Sequence, residues 1–207
     1  MNIWPILALI FAALESWALW KKLDKLEYVA KPAVMICLFI WLYLNTGLLG
    51  LTLWFGVGLI FSLIGDVLLM ISLDRMFIFG LITFLLAHVA YIVGLQNELM
   101  AFTSWSVILI VILSMTAVRM MRRIISAIRA KGQARLIIPV TVYSAVITVM
   151  LYAAMTTISN PEWNTSASFY LSVGAFLFYI SDLILAWNKF VTPIQNGRIL
   201  NIAAYHL

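Results

Sequence analysis

The sequence has little charge, and this shortage excludes a soluble fold. Only 10% of its 207 residues are charged, whereas 65% are hydrophobic. Soluble domains carry about 25% charged residues. A soluble fold of this length could not bury so much apolar surface, so lipid must solvate most of the chain. The composition therefore predicts an all-α polytopic membrane protein, with residues 1–207 forming a single transmembrane domain.

Cysteine and histidine are also scarce. Because Cys37 is the only cysteine, a disulfide framework is excluded, and we expect this residue to be a buried apolar side chain. The two histidines, His88 and His206, do not have the spacing of paired metal ligands. We therefore predict no metal and no cofactor, although two histidines with aspartates leave a metal site open. The sequence contains no GxSxG, P-loop or dinucleotide-binding motif, so it gives no sign of the enzyme classes that these motifs mark.

Hydropathy divides the chain into segments of roughly 20 apolar residues, the length that crosses a bilayer as a helix. We predict seven such spans, and an eighth that begins near residue 199 and is truncated at Leu207. The lysines nearest the first span follow it, so we expect a retained span rather than a signal peptide. Turn-forming residues at 45–47, 160–161 and 193 mark interruptions. The seven spans cover residues 3–20, 32–49, 51–71, 77–95, 104–121, 136–157 and 168–188.

The basic residues provide a test of this span count. All thirteen lysines and arginines follow odd-numbered spans, whereas the other loops hold only Glu98 and Glu162. The positive-inside rule then places the N-terminus outside and predicts a multi-pass protein of a bacterial inner membrane. The net charge of +5 needs no nucleic-acid partner. Segment 119–135 alternates arginines with apolar residues, which is typical of an interfacial helix on anionic headgroups or of charge that sets topology.

Five ionisable residues fall inside the predicted spans, where charge is costly and usually functional. Counted along the helices, all of them except His88 lie at a similar depth in the cytoplasmic half. This layer favours a functional site, and the alternative is a set of structural interhelical hydrogen bonds. The five residues are Glu15, Asp66, His88, Asp182 and His206.

The two aspartates share a local sequence, GLIFSLIGDVLLM at 58–70 and GAFLFYISDLILA at 174–186. In both, a glycine lies eight residues before the aspartate and a small residue directly before it. Because small residues let neighbouring helices approach closely, we expect equivalent acids to reach one cavity from two parts of the chain. In a water-poor cavity one carboxyl group could act as general acid and the other as general base toward water.

Further polar residues accompany the aspartates. Gly80, Phe84, His88 and Tyr91 share one helix face, so His88 and Tyr91 could line the same cavity, unless the histidine only joins helices. The Lys31-Pro32 pair is predicted to open the second span at the cytoplasmic boundary. There Lys31 could bind a phosphate or anchor the helix.

Four stretches of the chain resemble the YhhN-type membrane proteins, a family that includes the lysoplasmalogenases. The resemblance implies hydrolysis of the vinyl ether of a lysoplasmalogen to a fatty aldehyde and glycerophosphoethanolamine or glycerophosphocholine. The matching stretches are KPAVM (31–35), IGDVLLM (64–70), RMFIFGLITFLLAHVAYIVG (75–94) and GAFLFYISDLILAWNKF (174–190).

The resemblance also implies roles for individual residues. Asp66 and Asp182 become the catalytic pair. The phosphate of the lysophospholipid substrate is expected near Lys31 or Arg75, and the family's last helix continues beyond a tyrosine comparable to Tyr205. The expected substrate-binding residues are Lys31, His88, Tyr91, Glu15 and Tyr205.

Three other functions remain open at this point. Buried acids also suit a transporter of lipids or of small molecules coupled to protons, although the two aspartate helices run in the same direction and show no inverted repeat. A different lysolipid hydrolase, possibly metal-dependent, and a purely structural membrane protein are the others. In every case membrane lipids are the expected surroundings.

Overall fold

The computed structural model describes residues 3–95, 103–161 and 163–206, and its regular structure in these ranges is helical. Glu98 and Glu162 lie outside the described residues. Seven of the described helices, α1 to α7, are long and apolar enough to cross a membrane, which confirms the all-α polytopic class. The helices are α1 (Ile3–Lys21), α2 (Asp24–Thr46), α3 (Thr52–Ile71), α4 (Phe77–Leu95), α5 (Ser104–Ala130), α6 (Ile137–Thr156), α7 (Thr165–Ala186) and α8 (Gly197–His206).

Helix α2 begins earlier than predicted. It starts at Asp24 rather than near residue 32, so the prediction that Lys31-Pro32 opens the span is wrong. Asp24 and Glu27 lie in the first turn, where carboxylates favour a helix N-terminus, and this charged turn was too polar for hydropathy to include. Lys31 therefore lies inside the helix, two turns from its start.

Helix α5 is longer than predicted. It continues without a break to Ala130, so the predicted end near residue 121 is wrong, and residues 119–130 are not a separate interfacial helix. Its 27 residues rise about 40 Å, roughly 10 Å more than the hydrocarbon core of a bilayer. The basic C-terminal turns therefore have the length to reach headgroup depth. The chain turns only at Gly132, which has a positive φ of 67°.

The predicted interruptions are confirmed. Helix α2 ends at Thr46, and Gly47, with φ of 61°, donates its N–H to the Tyr43 carbonyl at 2.8 Å. After the break at residues 160–161, the Asn164 side chain caps α7 by accepting hydrogen bonds from two backbone N–H groups. A π-helical turn, Trp187–Val191, follows α7 and ends before Pro193.

The chain groups into two compact units. The first comprises Met1–Gly94 together with His206, and the second comprises Leu95–Tyr205. The first unit thus holds α1 to α4, and the second holds α5 to α7 and most of α8. The single domain over residues 1–207 stays a prediction.

In the first unit, glycines let α3 and α4 pack closely. A Cβ atom added at Gly58 would lie 2.2 Å from Tyr91 Cε1, and one at Gly65 would lie 2.7 Å from Phe84 Cδ2. Residues nearer the end of α3 contact residues nearer the start of α4, so the two helices are antiparallel. Aromatic rings of α4 therefore lie directly on the α3 backbone, as small residues allow in membrane bundles.

In the second unit, short polar side chains join α7 to its neighbours. The Ser172 hydroxyl donates to the Ala154 carbonyl of α6 at 3.0 Å. On α8, the Asn201 amide donates to the Ser181 carbonyl at 2.7 Å and lies 2.8 Å from the Ser181 hydroxyl oxygen. Such hydrogen bonds join helices where lipid offers no alternative partner.

The α3–α4 packing generates a test of stability. We expect Gly58→Ala and Gly65→Ala each to destabilise the protein by about 1–3 kcal/mol, because the new methyl group collides with a ring. Gly174 of α7 is the matched control, since a Cβ atom there meets nothing within 4 Å. Gly174→Ala should leave stability unchanged or slightly raised. Thermal unfolding in mild detergent measures the stability of the three variants. Equal melting temperatures of the three would contradict the close packing of α3 and α4.

Candidate functional site

A buried ion pair lies at the centre of the first unit. Lys31 Nζ of α2 is 2.9 Å from Asp66 Oδ1 of α3, and these side chains are 14% and 1% exposed. Attraction from the carboxylates of Glu15 and Glu27 acts on the same ammonium group. Because an uncompensated charge at this depth is costly, the pair explains how each residue is tolerated. Lys31 is thus a charge partner of Asp66, and its predicted binding of a phosphate stays a prediction.

His88 and Tyr91 extend this polar cluster. The Tyr91 hydroxyl lies 3.3 Å from the Ser62 hydroxyl of α3, and Asp66 acts on Tyr91 electrostatically. The His88 ring is fully buried, with its centre 6.4 Å from that of Tyr91. The structure therefore brings four of the predicted site residues together in one unit: Asp66, Lys31, His88 and Tyr91.

A second buried pair in the first unit joins Glu15 to His206. Glu15 Oε2 lies 2.5 Å from His206 Nε2, and the glutamate side chain is fully buried. The other oxygen, Glu15 Oε1, has no hydrogen-bond partner in the described part of the chain. Of the five ionisable residues predicted inside the spans, four thus lie in the first unit.

Asp182 has a different environment in the second unit. The Tyr143 hydroxyl of α6 donates a hydrogen bond to Asp182 Oδ2, and both residues line a small pocket of about 50 Å³. Most of the pocket wall is apolar, including Met120 and Met121 of α5 and Tyr179 of α7. A volume of this size accommodates water molecules, and the flexible methionines could adapt to a larger ligand.

Tyr143 is the site residue that sequence reasoning missed. It carries no formal charge at neutral pH, so a search for ionisable residues inside spans passes over it. The available signal was a phenol in the middle of an apolar span, because a buried tyrosine hydroxyl usually finds a hydrogen-bond partner.

The two similar aspartate sequences have unlike surroundings. Asp66 pairs with an ammonium group, whereas Asp182 accepts a hydrogen bond from a phenol. Gly58 packs against an aromatic ring, whereas Gly174 has open space around it. The aspartates belong to different units, and their meeting in one cavity stays a prediction.

Tyr205, the remaining predicted residue, lies on α8 in the second unit. Its ring packs against Phe178 of α7 with 5.1 Å between the ring centres. Within the described ranges, no group of three or more His, Cys, Asp or Glu side chains is placed to hold a metal ion.

The long apolar helices and their internally paired charges define an integral membrane protein with polar clusters inside its helical units. The chain belongs to the YhhN family, whose model matches residues 26–207. The chain is 28% identical over 168 residues to a protein of Dictyostelium discoideum described as "Lysoplasmalogenase homolog". The match covers 72% of this chain and 54% of that protein, so the chain spans about half the length of this curated relative. No solved structure matches the chain.

The Lys31–Asp66 pair generates a second test of stability. Either Lys31→Met or Asp66→Asn alone removes one partner of this ion pair and leaves the other charge buried, which should cost about 3 kcal/mol. The double variant removes both charges and should recover at least half of that loss. Thermal unfolding in detergent, followed by tryptophan fluorescence, compares the four proteins. If the single variants were as stable as the double variant, the two groups would not be coupled.

Proposed function

We propose that the protein is a hydrolase that cleaves the vinyl ether bond of a lysoplasmalogen. Its membership of the YhhN family and its similarity to a protein described as a lysoplasmalogenase homolog support this activity. The observation that carries the proposal is the Asp182–Tyr143 pair, which places a carboxyl group on the wall of a mostly apolar pocket large enough for water.

The reaction requires a proton on carbon. When an acid protonates the β-carbon of the vinyl ether, the electron pair of the double bond forms the new C–H bond and leaves an oxocarbenium ion. Water adds to this cation and loses a proton, giving a hemiacetal. The hemiacetal then collapses to the aldehyde and the glycerophospho-alcohol, so one water molecule is consumed for each ether bond broken.

Asp182 can serve both steps in turn. As a carboxylic acid it donates the proton to carbon, and the resulting carboxylate then stabilises the adjacent cation and accepts a proton from the attacking water. The hydrogen bond from Tyr143 holds Oδ2 and so restricts the orientation of the carboxyl group. We assign Tyr143 to positioning the carboxyl group.

Asp66 is the second carboxylate in the proposal. Its ion pair with Lys31 holds it as a fixed negative charge, with His88 and Tyr91 beside it as polar groups. For Asp66 we keep the catalytic role that the family resemblance implies. The choice of Asp182 as the acid follows the different partners of the two aspartates, and sequence alone left open which one acts as the acid.

The first functional test removes the Asp182 proton donor. Asp182→Asn should lower the rate of aldehyde release from lysoplasmenylethanolamine by about 10²–10⁴-fold, since the amide cannot protonate carbon. Tyr143→Phe should give a smaller loss of about 10-fold, because only the orientation of the carboxyl group changes. Aldehyde release from detergent-solubilised protein is the measurement.

The controls separate chemistry from folding and from metal dependence. Tyr152→Phe makes the same change on the same helix outside the pocket and should keep full activity. The charge-free double variant of Lys31 and Asp66 should be folded and inactive. Activity should also resist EDTA. Full activity of folded Asp182→Asn, or loss of activity with the chelator, would contradict the proposed mechanism.

A further inference from the structure

An open groove in the second unit runs beside the basic end of α5. Its volume is about 480 Å³, and it lies between α5 and the π-helical turn after α7. Arg122 and Arg123 line one side, Trp187 and Val191 line the other, and small side chains between them leave the groove open.

One cationic group of the groove, that of Arg123, is held against an aromatic ring. The Arg123 guanidinium carbon lies 5.9 Å from the centre of the Trp187 ring, a cation–π contact that orients the side chain. Nearby, Lys131 Nζ donates to the Lys189 carbonyl at 3.0 Å, which ties the end of α5 to the π-helical turn. π-Helical turns often occur at functional sites, and this one forms a wall of the groove.

The charge balance of this unit favours an anionic ligand. Its described residues include eight lysines and arginines and a single carboxylate side chain, that of Asp182. With Glu98 and Glu162, which lie in the same stretch of sequence, the unit has eight cationic and three anionic side chains, and this excess of positive charge favours an anionic partner. Arginine binds phosphate through two parallel hydrogen bonds, and two adjacent guanidinium groups suit a phosphodiester.

The groove and the Asp182 pocket are both lined by α5 and by the segment that runs from α7 into the π-helical turn. Met121 and Ala186 line the pocket, and their neighbours in sequence, Arg122 and Trp187, line the groove. Asp182 and Trp187 are five residues apart, about 7.5 Å along the helix. In a lysoplasmalogen the vinyl ether oxygen and the phosphorus are separated by five bonds, about 6 Å when extended. The reach from the ether to the phosphate is thus similar to the rise along the helix from Asp182 to Trp187.

We propose that Arg122, Arg123 and Trp187 form the phosphate subsite for the glycerophospholipid that is cleaved at Asp182. This inference rests on the proposed function and assigns the phosphate to the second unit instead of to Lys31 or Arg75. The ammonium of Lys31 is already engaged by Asp66, whereas the groove offers two guanidinium groups beside an open volume.

The kinetic test changes the groove and leaves the Asp182 pocket intact. With lysoplasmenylethanolamine in a neutral detergent, the Arg122→Gln/Arg123→Gln variant should raise KM about 10-fold or more and change kcat less than about twofold. Arg135→Gln, an exposed arginine of the same unit that does not line the groove, is the matched control and should change neither value. An unchanged KM in a wild-type-like, active variant would overturn the inference and leave the proposed function intact.

A binding measurement separates the subsite from the reaction. Saturated lysophosphatidylethanolamine has the same phosphate and no vinyl ether, and the double arginine variant should bind it about 10-fold more weakly than the wild type does. If the wild type binds this lipid through the arginines but releases no aldehyde from the vinyl ether, the proposed function fails and the subsite stands. If the variants lose activity only in vesicles that contain phosphatidylglycerol, the groove binds bulk anionic lipid and the inference is wrong.

Discussion

The structure depends on internal compensation of polar groups that lipid cannot solvate. Asp66 meets Lys31, Glu15 meets His206, and Asp182 meets the Tyr143 hydroxyl. Each pair joins residues from different helices, so the same contacts that make the groups tolerable also fix helices next to one another. In a bilayer, the cost of an unpaired charge makes these partners part of the fold.

The kind of partner distinguishes the two aspartates. An ammonium group at 2.9 Å commits Asp66 to an ion pair that is almost fully buried. A phenol beside Asp182 supplies a hydrogen bond, and the adjacent pocket has room for water. For this reason we propose Asp182 as the proton donor. The basic groove in the same unit is where we propose that the phosphate binds.

Much of the fold could be predicted because lipid solvation makes hydropathy a direct signal. Gly47 and Asn160-Pro161 marked chain breaks that the structure confirms, and the face of α4 with Phe84 and His88 is buried. The start of α2 and the end of α5 were missed, because charged turns at a membrane surface remain helical while their hydropathy falls. Tyr143 was missed because its importance comes from a contact 39 residues along the chain, which no local pattern encodes.

The most direct test of the central claim, transfer of a proton to carbon beside Asp182, is the fate of solvent hydrogen. Lysoplasmenylethanolamine is hydrolysed in D₂O by the wild-type protein, and the aldehyde is trapped at once by borohydride reduction. Mass spectrometry and NMR then locate deuterium in the resulting alcohol. The account predicts one deuterium on the carbon next to the former carbonyl carbon. An aldehyde released without deuterium at that position would contradict it.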